Sequence, residues 1–337
     1  TDMGVNLGEF NATFKDIDLN KQKISINEIL LKNTSVQIAL SPGENREEGQ
    51  EEFAEGNDTI HAGNDIKTVS SVFIALNISA DKLTIVNTGF RLDNTSSPRL
   101  PEGIDYAHMD FRNINAGIRN ISIDSEGYRA EFKTLSASES CGLNLKMLAA
   151  DARFTDKYAE LKNLKLETSK SKIAGELSLA YPSFNGFLAD LWNSEAALYL
   201  DSSSVNANEI FLFVPFLVSD SYIGKFKDSD ILISAEASGK INDMNIENLE
   251  LACLNKTFLK SNCRLKGIPD INSLVFDATV ETFSTSLTDI YRFVDPSVFA
   301  GIKLPPTFGL NGHASGKINS MKGDIELNSA YGNIFAD

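Results

Sequence analysis

DILISAEASGKINDM, residues 230–244, places Ile231, Ile233, Ala235, Ala237 and Ile241 in phase, with Ser234, Glu236, Ser238 and Lys240 between them. A period of two marks a strand with one covered face. The last eight residues of this stretch, ASGKINDM (237–244), return as ASGKINSM at 314–321, identical at seven of eight positions and offset by 77 residues. A chain that writes one strand end twice at a fixed spacing is built from corresponding units.

The neighbourhood of each copy repeats as well. NEIFLFVP (208–215) and TDIYRFVDP (288–296) read as short helices, each opening on a capping residue, Asn208 or Thr288, followed by an acid and closed by a proline. Ile210, Phe211, Phe213 and Val214 correspond to Ile290, Tyr291, Phe293 and Val294 at an offset of 80. An alternating strand, AALYLD or FDATVE, precedes each helix, and NIENLELAC or MKGDIELNS follows each ASGKIN block; AELKNLKLET (159–168) is a third relative upstream. The predicted unit is therefore strands, a short helix and strands again, about 80 residues long. Units of this kind bury their apolar faces by standing side by side. The small residues of ASG are expected at a bend or a close backbone approach, with Lys240 and Lys317 in solvent.

Alternation extends through nearly the whole chain, as in SVFIALNIS with Val72, Ile74, Leu76 and Ile78 in phase, so the fold class is all-β, mainly strands with a few short helices. Residues 41–65, SPGENREEGQEEFAEGNDTIHAGND, are rich in acids, Gly and Asn and read as a long mobile loop. The domain reading is an N-terminal β segment, 1–130, carrying that loop, then repeated units over 131–337 that continue past the C-terminal end.

Composition narrows the function. The 337 residues hold 31 Lys and Arg against 46 Asp and Glu, a net charge of −15, which repels phosphate backbones and anionic lipid head groups and argues against nucleic acid as a partner. No apolar run reaches the roughly 18–20 residues of a membrane-spanning helix, and TDMGVNLGEF has neither the basic start nor the apolar stretch of a signal peptide. Cys141, Cys253 and Cys263 form no CxxC pair, which speaks against zinc; Cys253 and Cys263 are either bridged across a hairpin or buried as thiols.

Catalytic and metal signals are weak. His61, His108 and His313 are scattered, and neither a phosphate-binding GxxxxGK[ST] loop nor a GxSxG nucleophile turn occurs. SxxK appears at Ser79–Lys82 and Ser169–Lys172 without the motifs that accompany it in acylating enzymes. The stretch from Asp16 begins like a calcium loop, with Asp18 and Asn20 at alternate positions, but Lys21 stands where the turn needs glycine and Asn27 where a bidentate acid belongs. It is expected to be a turn. The aromatics around Trp192 are read as plugging a sheet edge or packing under a short helix. No catalytic, cofactor or metal site is expected, and the chain is read as a non-enzyme.

With the repeats laid out, the sequence resembles the TamB and AsmA-like family of envelope proteins from diderm bacteria, in particular TamB-type chains of the Bacteroides kind. The likeness rests on INEILLKNTSVQIAL (26–40), ADKLTIVNTGFRLDN (80–94), GIDYAHMDFRNINAGIRNISID (103–124), SSVNANEIFLFVP (203–215) and LPPTFGLNGHASGKINSMKGDIEL (304–327). It implies an elongated, twisted, half-open β-sheet groove, a piece from the middle of a longer periplasmic chain anchored in the inner membrane. It also implies phospholipid acyl chains as cargo and an outer-membrane assembly protein of the TamA or BamA kind as partner. The in-phase apolar residues Leu198, Leu200, Ile231, Ile233, Phe276, Val280, Phe308 and Leu310 are the expected groove lining. Two readings compete: a surface or secreted β-rich binding module of adhesin type, and, less well supported by the interrupting helices and lone tryptophan, a fragment of an outer-membrane barrel.

Overall fold

A computed structural model describes residues 2–40, 76–183, 190–215, 218, 223–268, 270, 273–317 and 319–336. The expected loop at 41–65, and Val72 and Ile74 of the alternating stretch beside it, lie outside the described residues.

All described strands belong to one open sheet. In chain order they are β1 (Asp2–Asn6), β2 (Glu9–Asp18), β3 (Lys23–Lys32), β4 (Ser35–Leu40), β5 (Asn77–Asn94), β6 (Asp110–Asp124), β7 (Gly127–Glu139), β8 (Asn144–Phe154), β9 (Tyr158–Thr168) and β10 (Lys172–Ala180). The series continues with β11 (Glu195–Asn206), β12 (Asp230–Lys240), β13 (Asp243–Cys253), β14 (Thr257–Lys266), β15 (Val275–Ser286), β16 (Thr307–Lys317), β17 (Ser320–Ser329) and β18 (Gly332–Ala336). Helix α1 (Ala207–Phe213) follows β11, and α2 (Leu287–Ile290) follows β15.

β1 with β2, and β3 with β4, form one long antiparallel hairpin, pairing from Asp2 with Ala39 through to Asp18 with Lys23. The second arm lies parallel to β5 at a constant offset of 54, from Lys23 with Asn77 to Leu40 with Asn94. From β5 onward each strand pairs antiparallel with its successor to β18. Position 130/131, the sequence-based domain boundary, falls inside β7 of this continuous sheet.

Left-handed residues inside the strands shape the sheet. Asn120, Asn163, Ser202 and Asn248 have φ of 51°, 52°, 43° and 52° and sit beside register shifts in β6, β9, β11 and β13. Asparagine tolerates this conformation better than most side chains, and each extra residue bends its strand and increases the local twist. The exposed side chains are used: Asn120 donates to Glu131 at 2.7 Å and Asn163 to Asp151 at 2.7 Å, while Asn248 N–H bonds Asn262 at 2.8 Å.

The duplicated block occupies equivalent places. Ala237–Lys240 closes β12 and Ala314–Lys317 closes β16, four strands later. Gly239 and Gly316 have φ of 123° and 133°, and a Cβ on them would lie 2.7 Å from the Asp243 carbonyl oxygen and 2.4 Å from that of Ser320. The small residues thus mark a close backbone approach, as the sequence suggested. Both helices start two residues earlier than their apolar pattern suggested, because Asn206 and Ser286, not Asn208 and Thr288, accept the capping bonds, from Asn208 N–H and Asp289 N–H. Pro296 opens a further 3-10 turn, Pro296–Phe299, instead of ending a helix.

Among the described residues there is no second sheet. Among the described residues twelve apolar side chains are buried, six of them alanine, so most of the large apolar residues are half-buried or exposed.

Candidate functional site: an open apolar face

Residues directly opposite in neighbouring strands share a face of the sheet, so the register traces what each face presents along its length. One file starts Ile17, Ile24, Ile78, Ile123, Tyr128 and Phe154. It continues through Ala159, Leu179, Ala196, Gly239 and Met244. It ends Leu265, Phe276, Gly316 and Met321. Across these fifteen strand positions every residue is apolar or glycine. At about 4.8 Å per strand the file is roughly 67 Å long. None of its members is buried; Ile17 is 52 % and Met321 57 % exposed at its ends.

The neighbouring file on the other face is the opposite in chemistry. It runs through Asp16, Ser25, Ser79 and Ser122, then Arg129, Arg153 and Glu160, and finishes Arg264, Asp277, Ser315 and Lys322. Ala197 is its single apolar member. Along these two files the apolar residues stand on one side of the sheet, and no second layer is seen over them among the described residues; farther along the strands the other face carries a short apolar row of its own, Leu232, Ala252 and Phe258.

All eight sequence-predicted lining residues lie on this apolar face. Leu198 is opposite Ala237, and Leu200 opposite Ala235. Ile231 and Ile233 face Cys253 and Leu251. Phe276 belongs to the long file, Val280 faces Gly312, and Phe308 and Leu310 face Thr285 and Phe283. Each is half-buried. The structure brings Phe308 and Leu310 together in one hollow and spreads the other six along the sheet.

The two rims of the face differ. One carries hairpin turns at 19–22, 125–126, 155–157 and 241–242, with the longer 181–194 connection. Trp192 lies there in a 3-10 turn, Leu191–Asn193, 39 % exposed, its carbonyl accepting from Asn242 N–H at 2.9 Å.

The opposite rim is braced. Ile104 N–H donates to the Leu212 carbonyl at 2.7 Å, joining the loop after β5 to α1. Lys225 Nζ donates to the Phe293 carbonyl at 3.2 Å, and Arg292 Nη2 to the Lys225 carbonyl at 3.3 Å, joining the segment after α1 to the segment after α2. The Phe226 and Phe293 rings meet at 5.2 Å.

An acid at the third position of each helix ties the helix to a hairpin. Glu209, 7 % exposed, accepts from the hydroxyls of Thr168, Ser169 and Ser171 in the turn between β9 and β10. Asp289, 1 % exposed, accepts from Asn255 N–H at 3.2 Å, Asn255 Nδ2 at 2.8 Å, Lys256 N–H at 2.9 Å and the Thr257 hydroxyl at 3.0 Å. Burial pushes the Asp289 carboxyl up, but the donors outweigh it and hold it below its ordinary range. These two clasps are equivalent features of the repeat. The sequence offered a signal for them, an acid three residues after a capping residue, but reading the cap two residues late hid it.

The IDYAHMDF stretch is likewise structural in its contacts. His108 is buried, its Nδ1 2.9 Å from Asp105 and its Nε2 3.6 Å from Asp93, which also pairs with Arg99 at 2.8 Å. Asp105 further accepts from Leu100 N–H and Ala107 N–H, so these groups fasten their own loop. The three cysteines are unbridged. Burial raises the Cys141 thiol to about 11, aided by Glu139, and also raises Cys253 and Cys263. Cys263 lies on the apolar face, between Ile246 and Ala278.

Beneath α2 the braced rim leaves a hollow of about 370 Å³. Phe226, Ile290 and Phe293 line it from the helical side, and Phe283, Phe308, Leu310 and Leu327 from the sheet. Leu254, on its wall, is held at φ 57°, a left-handed conformation that costs an ordinary side chain roughly 1–2 kcal/mol. The turn that contains it presents Asn255 and Lys256 to Asp289. No family profile, curated protein or solved structure matches the chain.

Proposed function

We propose that the chain is a non-enzymatic, periplasmic segment of a TamB/AsmA-like protein whose apolar face conducts phospholipid between inner and outer membranes and supports outer-membrane protein assembly. The carrying observation is the unbroken apolar file across fifteen strand positions, with no layer over it among the described residues. A hydrocarbon chain laid along such a face gains about 0.8 kcal/mol per buried methylene. Because each strand offers a similar contact, the chain meets stations of similar affinity, and displacement from one to the next requires no large barrier. Phosphate head groups remain in water beyond the rim. The longer protein, in this reading, is anchored in the inner membrane and meets an assembly protein of the TamA or BamA kind at the other side.

The test uses Cys263 as a native reporter. In a Cys141→Ser, Cys253→Ser background, phospholipid vesicles should slow alkylation of Cys263 at least fivefold, and solvent extraction of the purified chain should yield phospholipid at stoichiometric levels. Unchanged Cys263 reactivity together with a lipid-free extract would overturn the reading. Capture of a soluble glycan or host protein in place of lipid would favour the secreted binding module.

A further inference from the structure

We infer that a row of lysines at the open rim, Lys240, Lys266 and Lys317, holds the anionic phosphate head groups of lipids whose tails lie along the apolar file. This rests on the lipid reading above and adds to it a place and a charge preference for the head group.

The row follows from the register. Lys240 stands opposite Asp243, Asp243 opposite Lys266, Lys266 opposite Val275, Val275 opposite Lys317 and Lys317 opposite Ser320, so the three lysines close β12, β14 and β16 in one line. At two strand spacings they are about 10 Å apart. The next line inward is the end of the apolar file, Gly239, Met244, Leu265, Phe276, Gly316 and Met321. Each lysine is thus the chain neighbour of a file residue. Consecutive residues leave a strand on opposite faces, but the chain turns back beyond each lysine, and a long flexible stem lets the ammonium reach round the rim while the stem lies on apolar surface. Two of the three are the lysines of the duplicated ASGKIN block, so the repeat sets the same charge beside the same apolar line twice.

Their charge is available. All three are exposed and make no ion pair with the described residues. Asp243, the acid between Lys240 and Lys266, is taken by Arg264, whose Nε and Nη2 reach it at 2.7 and 2.9 Å. That bond, with both lysines nearby, holds the Asp243 carboxyl below its ordinary range. In the lysine line and the two lines inward of it, from β12 to β17, five cations (Lys240, Arg264, Lys266, Lys317 and Lys322) stand against two acids, Asp243 and Asp277. Asp277 in turn faces His313 at 3.0 Å. Glu195, opposite Lys240 on β11, and Asp270, in the loop after β14, border the patch. The rim is therefore locally cationic in a chain whose net charge of −15 otherwise repels such head groups. At the far end of the file the same line reads Asp18 and Lys23, then Asp124 and Gly127, and carries no such excess. A free phosphate meets the lysines alone, whereas a lipid phosphate brings a tail for the file beside them and gains from both.

The test reads alkylation of Cys263 by iodoacetamide in the Cys141→Ser, Cys253→Ser background, titrated with vesicles of anionic phosphatidylglycerol or of zwitterionic phosphatidylcholine. Phosphatidylglycerol should half-protect Cys263 at a lipid concentration at least tenfold lower, and about 0.5 M sodium chloride should shrink that preference to less than twofold. Lys240→Gln, Lys266→Gln and Lys317→Gln together should abolish the preference and change protection by phosphatidylcholine less than twofold. Lys146→Gln, Lys165→Gln and Lys170→Gln remove the same charge away from this rim and should shift either titration less than threefold. Inorganic phosphate at the vesicles' phosphate concentration should leave protection unchanged. Equal protection by the two vesicles, equal effects of the two triple substitutions, or displacement by inorganic phosphate would each overturn the row and leave the open face in place. Absence of protection by either vesicle would bring down the lipid reading and the row with it.

Discussion

The braced rim and the open rim border the same apolar face, yet they are held by different physics. The braced rim relies on buried carboxylates and on hydrogen bonds between segments some 70–110 residues apart, such as Arg292 with Lys225 and Ile104 with Leu212. The open rim relies on backbone ladders and on glycines where strands approach too closely for a side chain. Losing an interaction should therefore be costly at the first and mild at the second, unless the backbone itself is disturbed. A half-buried apolar file survives because continuous strand pairing holds each residue in place.

The largest expected effect is at the clasp. Asp289→Ala leaves four donors without their acceptor and should cost roughly 3 kcal/mol in urea unfolding, with faster amide exchange at Asn255 and Lys256; a loss below about 1 kcal/mol would remove the distinction between the rims. The pH dependence carries the same sign. A carboxyl whose folded value lies below the ordinary 3.8 contributes stability above that value and loses it as pH falls through the folded one. Protection at 255–257 should therefore fade below about pH 4, while the amides around Ile78 keep theirs; parallel loss at both places would contradict a local clasp.

Next comes the exception on the open rim. Gly316→Val combines a φ of 133° with a Cβ 2.4 Å from the Ser320 oxygen, so roughly 2 kcal/mol should be lost. Circular dichroism melts comparing it with Ser315→Val, one residue away on the polar face, would expose an error if the two behaved alike.

Phe308→Ala should cost roughly 1–2 kcal/mol, less than the roughly 3–5 kcal/mol typical of a sealed core, because the ring already borders a hollow. Smallest of all, Ile78→Ala and Leu179→Ala should each cost less than about 1 kcal/mol in urea unfolding while reducing lipid recovery. A cost near 3 kcal/mol for either would mean that a facing layer covers the file after all.

Much of this was legible from residues alone. Alternation in 230–241 gave both the strand and the face on which Ile231 and Ile233 lie, because a period of two admits only two sides. The recurrence of ASGKIN located the repeat and the tight approach at Gly239 and Gly316. The bulges were missed, since an asparagine within a strand pattern looks like any exposed polar residue until its φ is known. The clasps were half-missed: Glu209 and Asp289 were noted as helix-end acids, but their partners, Thr168–Ser171 and Asn255–Thr257, are some 30–40 residues away in sequence.

By itself the sequence determined that the chain is a repeating β structure with one apolar and one polar face, because side-chain period and repeat spacing are local properties of the polymer. Only the tertiary structure decided that Ile17 and Met321, 304 positions apart in the chain, end the same file, and that one rim is braced while the other is open. Register accumulates strand by strand, and each shift at a bulge such as Asn163 or Asn248 resets which residues stand opposite. That sum of pairings has no counterpart in any short stretch of residues.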